Sequence, residues 1–143
     1  MVDRQKLVGT VLPEGSFTID PEDHRIFCDA VFAEGWTGDV AHPMFLHLVA
    51  HCGKGPLEDF FELIGTRLEA GVTFGQGQLD YHAPLRIGAT YRVITEIAEV
   101  ERKQGRRRGP FDVVTCHIDV FDGDELVGRS RESYVVPVRE EAA

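Results

Sequence analysis

Between Pro43 and Gly53 the chain reads Met44-Phe45-Leu46-His47-Leu48-Val49-Ala50-His51-Cys52, apolar around most of a helical wheel. Proline suits the first turn of a helix because its missing N–H would be unpaired there anyway, and glycine favours the position just past the end. A helix that is apolar on most sides belongs inside a core. The rest of the chain must therefore supply something that wraps it.

That wrapping is legible downstream. From Val72 the pattern turns to β, with runs near 72–82, 89–102, 110–121 and 125–138. They are separated by Pro84-Leu85-Arg86-Ile87-Gly88, by the segment from Gln104 to Pro110, and by Asp122-Gly123-Asp124. In the third run Val114, Cys116, Ile118 and Val120 form an apolar face, with Asp112, Thr115, His117 and Asp119 assigned to the wet one. Upstream, Ser16 to Ile19 reads as a strand after the Pro13-Glu14-Gly15 turn. A helix then starts at Pro21, capped by Asp20, and runs to about Gly35. Leu57, Phe60, Phe61 and Ile64 predict a short helix over a sheet edge. The expected class is α+β: a five-stranded antiparallel sheet around one central helix, as a single domain over 1–143.

Charge and composition exclude several functions. The 24 acidic and 15 basic residues give a formal charge of −9, whose field repels a phosphate backbone, so nucleic acid is not an expected partner. Cys28, Cys52 and Cys116 are odd in number, widely spaced and set among apolar neighbours, which reads as three buried thiols in a reducing compartment. The N-terminal residues lack a signal-peptide pattern, and no apolar run reaches membrane-spanning length, so the chain is expected in the cytoplasm and off the membrane. The chain closes on the acidic tail Glu140-Glu141-Ala142-Ala143.

Several local motifs resemble the MaoC-like dehydratase family, in the variant described as its N-terminal or fatty-acid-synthase-like (FAS1-like) dehydratase domain. The strongest is Asp80-Tyr81-His82-Ala83-Pro84-Leu85-Arg86-Ile87-Gly88-Ala89-Thr90-Tyr91, similar to the family's aromatic-His-x-Pro-Leu-x-x-Gly run. Arg102-Lys103-Gln104-Gly105-Arg106, Gly109-Pro110-Phe111-Asp112, Gly123-Asp124-Glu125-Leu126-Val127 and Ser133-Tyr134-Val135-Val136 extend the similarity over nearly the whole chain. The resemblance implies a hotdog fold, dimers formed by pairing sheets edge to edge, and a tunnel for an acyl-CoA or acyl-carrier thioester between protomers. Hydratases that resemble this group carry Asp-x-Asn-Pro-x-His before the central helix. Here that region reads Trp36-Thr37-Gly38-Asp39-Val40-Ala41-His42-Pro43-Met44, without Asn-Pro and without a His five residues after Asp39.

The residues themselves leave three functions open. An acyl-CoA thioesterase would use Asp39 to orient or deprotonate water and His42 to accept a proton or hydrogen-bond the thioester, with the backbone N–H of Met44 or Phe45 holding the developing oxyanion. Alternatively, the chain is a hydratase or dehydratase subunit that needs a catalytic hotdog partner, or a non-catalytic thioester binder. Homodimer and heterodimer both fit. Trp36 would line the tunnel mouth or pack its own loop, and His47 would meet substrate or serve the core. His47 and His51 have metal-ligand spacing but no acid between them, so neither a metal nor any other cofactor is expected. Arg106 and Arg107 belong with Arg102, Lys103 and Arg108 to a basic hairpin suited to CoA phosphates or an acidic carrier, or simply to water. Glu58, Asp59 and Glu62 read as a solvated helix face, and His82 as a structural residue. The thioesterase is the reading carried forward.

Overall fold

The computed structural model describes residues 2–33 and 35–139; the acidic tail lies outside them. In chain order β1 (Gly15–Thr18) is followed by α1 (Pro21–Ala30), α2 (Phe45–Gly53), α3 (Leu57–Leu63), β2 (Thr73–Tyr81), β3 (Thr90–Gly105), β4 (Gly109–Asp122) and β5 (Glu125–Pro137). The sheet is antiparallel with the order β1-β3-β4-β5-β2. The last three strands form a meander, whereas β2 crosses to pair with β5, so the two shorter strands take the two edges. This is the hotdog fold.

Leu46, Val49 and Ala50 of α2 have no exposed surface, and they pack against the inner sheet face made by Val93, Ile97, Val114, Cys116, Ile118, Val120 and Val136. The helix meets the sheet backbone to backbone at its last turn. A Cβ on Gly15 would fall on the carbonyl oxygen of Gly53, and one on Gly53 would strike Val93. Two side-chain-free positions let α2 lie this close to β1 and β3.

Element boundaries differ from expectation in ways with physical causes. The α1 cap forms as read, with the Asp20 carboxylate accepting from the amides of Glu22 (2.8 Å) and Asp23 (3.1 Å). Its helix ends at Ala30 rather than near Gly35, because Phe32 turns to a left-handed φ of 60°. Pro43 and Met44 form a turn before α2 rather than its first residues. The helix α3 lies over β5, inside the sheet edge, with Phe60 and Phe61 against the Tyr134 ring. Asp112 is buried, not wet: it shares strand parity with Val114 and Cys116. Its carboxylate is neutralised there by Arg4 at 3.0 Å and by Arg102. Of the cysteines, Cys28 and Cys116 are buried and Cys52 is exposed. Among the described residues no helix is long and apolar enough to cross a membrane.

Candidate functional site

The loop before α2 is held in place by backbone pairing. Ala41 N–H donates to the Leu85 carbonyl (2.7 Å) and Ile87 N–H to that of Asp39 (2.7 Å), so Asp39 to Ala41 runs antiparallel to the Pro-Leu turn ahead of β3. Tyr91 fixes the turn by accepting from Arg86 N–H at 2.7 Å. The Asp39 side chain points outward, is 72% exposed, and forms an ion pair with Arg86 at 2.6 Å. His42 is engaged on two sides. Its backbone N–H donates to Nε2 of the buried His24 (2.9 Å), and its ring Nδ1 accepts from Met44 N–H (3.1 Å). Phe45 N–H is spent on the His42 carbonyl at 2.9 Å. The two amides expected to hold an oxyanion are thus both occupied within the turn, which corrects that part of the thioesterase reading. Trp36 donates its indole N–H to the Val40 carbonyl (2.7 Å) and packs on His24 and His42, closing its own loop. Burial and the neighbouring His42 lower the pKa of His24, which keeps the ring neutral and able to accept.

A second constellation lies further along α2. His47, His51 and Lys54 follow one another at i, i+4 and i+7, a single helical stripe, and all three meet Glu132 of β5. Its carboxylate has no exposed surface. His51 Nδ1 lies 3.2 Å and Lys54 Nζ 3.6 Å from Oε2, Tyr134 donates its hydroxyl to the same oxygen at 2.7 Å, and His47 Nδ1 stands 3.7 Å from Oε1. Oε1 has no hydrogen-bond partner among the described residues. Burial pushes the Glu132 carboxyl up, but the His51 hydrogen bond and the Lys54 charge outweigh it and hold the group below the usual carboxylate range. Lys54 is itself fully buried, with the Phe60 and Tyr134 rings each 5.6 Å from its ammonium.

Could this cluster hold a metal? The ligand atoms of His47, His51 and Glu132 lie within 4.8 Å of one another. However, the Lys54 ammonium 3.4 Å from His51 Nδ1 already supplies the positive charge. The arrangement is therefore one carboxylate-backed imidazole, His51, with the His47 ring stacked on it at 5.5 Å. Both rings line a cavity of about 370 Å³ walled by Leu57, Phe61, Leu68, Val72, Phe74 and Tyr134. It adjoins a larger cavity of about 640 Å³, and Leu57, Phe61 and Leu68 border both.

Of the residues singled out from sequence, Asp39, His42, Trp36, Met44 and Phe45 gather at the loop and N-terminus of α2. His47 belongs to the Glu132 cluster. Arg106 and Arg107 stand in the exposed β3–β4 turn and border neither cavity. Glu132, Lys54 and Tyr134 were not singled out. Period-two parity with Tyr134 and Val136 gave the available signal, since it places a carboxylate on an inner face.

Comparison with solved structures supports the architecture. A C-terminally truncated HadBC (3R-hydroxyacyl-ACP dehydratase) complex from Mycobacterium tuberculosis contains a chain with TM-score 0.69 and 19% identity, covering 90% of this chain and 96% of that one. A chain of the ChsH1-ChsH2 complex from the same organism gives 0.65 at 16% identity, over 98% and 91%. The fluoroacetyl-CoA thioesterase FlK gives 0.62 at 18%, over 91% and 87%. At these identities the likeness shows the fold. No curated protein sequence matches the chain. The family model of the FAS1-like dehydratase domain region matches residues 16–129, which include the Pro-Leu turn, the central helix and the long strands. The chain belongs to the FAS1-like dehydratase domain family.

Proposed function

We propose that this chain is an acyl-thioester-binding hotdog subunit for hydration or dehydration of the acyl group, working beside a second hotdog chain that supplies the water-activating Asp/His pair. The carrying observation is chemical. The chain has no asparagine at any position, so an Asp-x-Asn-Pro-x-His motif stands nowhere in it. The candidate substitutes in the loop are committed elsewhere, Asp39 to Arg86 and His42 to the Met44 amide. The family and the complexes formed by two of the similar proteins support this reading over thioester hydrolysis. In it, the acyl group enters with its thioester end near Trp36, His42 and Met44.

The test is to incubate the purified chain with 2-enoyl-CoAs, following enoyl absorbance and free thiol, and then to add a hotdog chain bearing the full motif. Neither signal should change with the chain alone, and enoyl absorbance should fall once the pair has formed. Thiol release by the chain alone would restore the thioesterase. Hydration by the chain alone would remove the need for a partner.

A further inference from the structure

The 370 Å³ cavity has a lining that a plain hydrocarbon cannot satisfy. Leu57, Phe61, Leu68, Val72 and Phe74 make apolar walls, yet His47 and His51 bring two imidazoles to one side. Both rings turn Nδ1 toward Glu132, at 3.7 and 3.2 Å, so the partly exposed edge reaching the cavity carries Nε2. At 3.2 Å the carboxylate holds the proton on His51 Nδ1 and leaves Nε2 of that ring as an acceptor, whereas His47 Nδ1 lies beyond hydrogen-bond reach and its ring offers a hydroxyl either a donor or an acceptor. Tyr134 donates to the same carboxylate, and Lys54 Nζ lies 3.6 Å from that carboxylate and 3.4 Å from His51 Nδ1. A saturated chain in this space would strip water from two imidazoles and return nothing to them.

We propose that the cavity takes an acyl group oxygenated partway along its length, and that His47 and His51 select it by hydrogen-bonding to its hydroxyl. The inference rests on the acyl-thioester reading above, with the thioester at the N-terminal end of α2. From Met44 to His51 the helix advances about 10 Å at 1.5 Å per residue, so the selected oxygen lies well beyond the carbons next to the thioester. The strand β2 brackets the path: Tyr81 at one end donates its hydroxyl to the Pro43 carbonyl (2.9 Å), and Phe74 at the other packs on His47 at 6.3 Å. Longer chains can continue past the histidines into the adjoining cavity.

The experiment is calorimetric titration of the full chain with decanoyl-CoA and with 10-hydroxydecanoyl-CoA, whose terminal hydroxyl sits about that far from the thioester when extended. The hydroxylated ligand should bind about tenfold tighter, as for one well-made hydrogen bond. The gap should close in His47→Phe/His51→Phe, with decanoyl-CoA binding at least as well as before. His51→Gln keeps an acceptor and should retain part of the gap, and it serves alone should the double variant not fold. Equal affinities, or a gap that survives removal of both imidazoles, overturn the proposal. Binding of neither ligand overturns the acyl-thioester reading itself.

Discussion

Replacing Glu132 by Leu tests the buried cluster most directly. The substitution removes the carboxylate and leaves the Lys54 ammonium with no exposed surface and no counter-charge. Breaking a buried pair by deleting one partner typically costs about 3–5 kcal/mol. Unfolding entropy near the melting point is about 2.1 cal/mol/K per residue, or about 0.3 kcal/mol/K for a chain of this length, so Tm should fall by about 10–17 °C. The partner substitution Lys54→Met should also destabilise, because Glu132 then stays buried with only Tyr134 and His51 to satisfy it. Glu132→Leu/Lys54→Met together should be more stable than either single variant, since an apolar pair replaces two desolvated charges, but should stay about 1–3 kcal/mol below the parent because the buried Tyr134 hydroxyl loses its acceptor. Urea unfolding of the four proteins gives the coupling through a double-mutant cycle. A coupling energy below about 0.5 kcal/mol, or a single variant as stable as the parent, would refute the claim that the pair is buried and mutually dependent.

Acid should unfold the protein in two stages. Burial lowers the pKa values of His24 and His47, so their contribution is complete above the ordinary histidine value of 6.5 and drains away as pH falls below it. Glu132 and Asp112, held below 4.5 and 3.8 by their cationic partners, add a further loss under those values; urea midpoints between pH 7 and 3 should show both, and His24→Gln should flatten the first. Gly15→Ala, which sets a methyl against the Gly53 carbonyl, should cost about 1–3 kcal/mol in the same assay, as overpacking does. Asp39→Asn should change stability by less than about 1 kcal/mol, because its pair with Arg86 is solvated. A thiol reagent should titrate Cys52 in the native protein and Cys28 and Cys116 only after unfolding, since Cys52 alone of the three is exposed; desolvation raises all three thiols, Cys116 up to about 12.

The central helix was legible because its signal is local: an apolar run between proline and glycine can only be buried. The strands from Thr73 onward showed themselves through alternation and turn residues. Partnerships that cross the sheet were not visible in this way. Asp112 looked solvated because an acidic side chain usually is, although its parity with Val114 was legible; what the sequence does not show is that Arg4, 108 residues away, arrives with the cross-strand Arg102 to neutralise it. The same holds for Glu132, whose three helical partners are scattered between positions 47 and 54. In the loop before α2, residue types suggested an acid, a base and a pair of amide donors. Side-chain direction and competing hydrogen bonds decide whether such groups are available, and neither can be read from spacing.

Glu132 also acts as a key in a slot. His47, His51 and Lys54 share one stripe of α2, and rotating the helix by a single residue, about 100°, would carry all three away from their common oxygen atoms. The close seat of Gly53 against Gly15 and Val93 limits the same rotation at the last turn of the helix. The polar stripe fixes it along the turns before. The cluster that looks like a binding device therefore also sets the angle at which α2 presents its N-terminus to whatever meets it there.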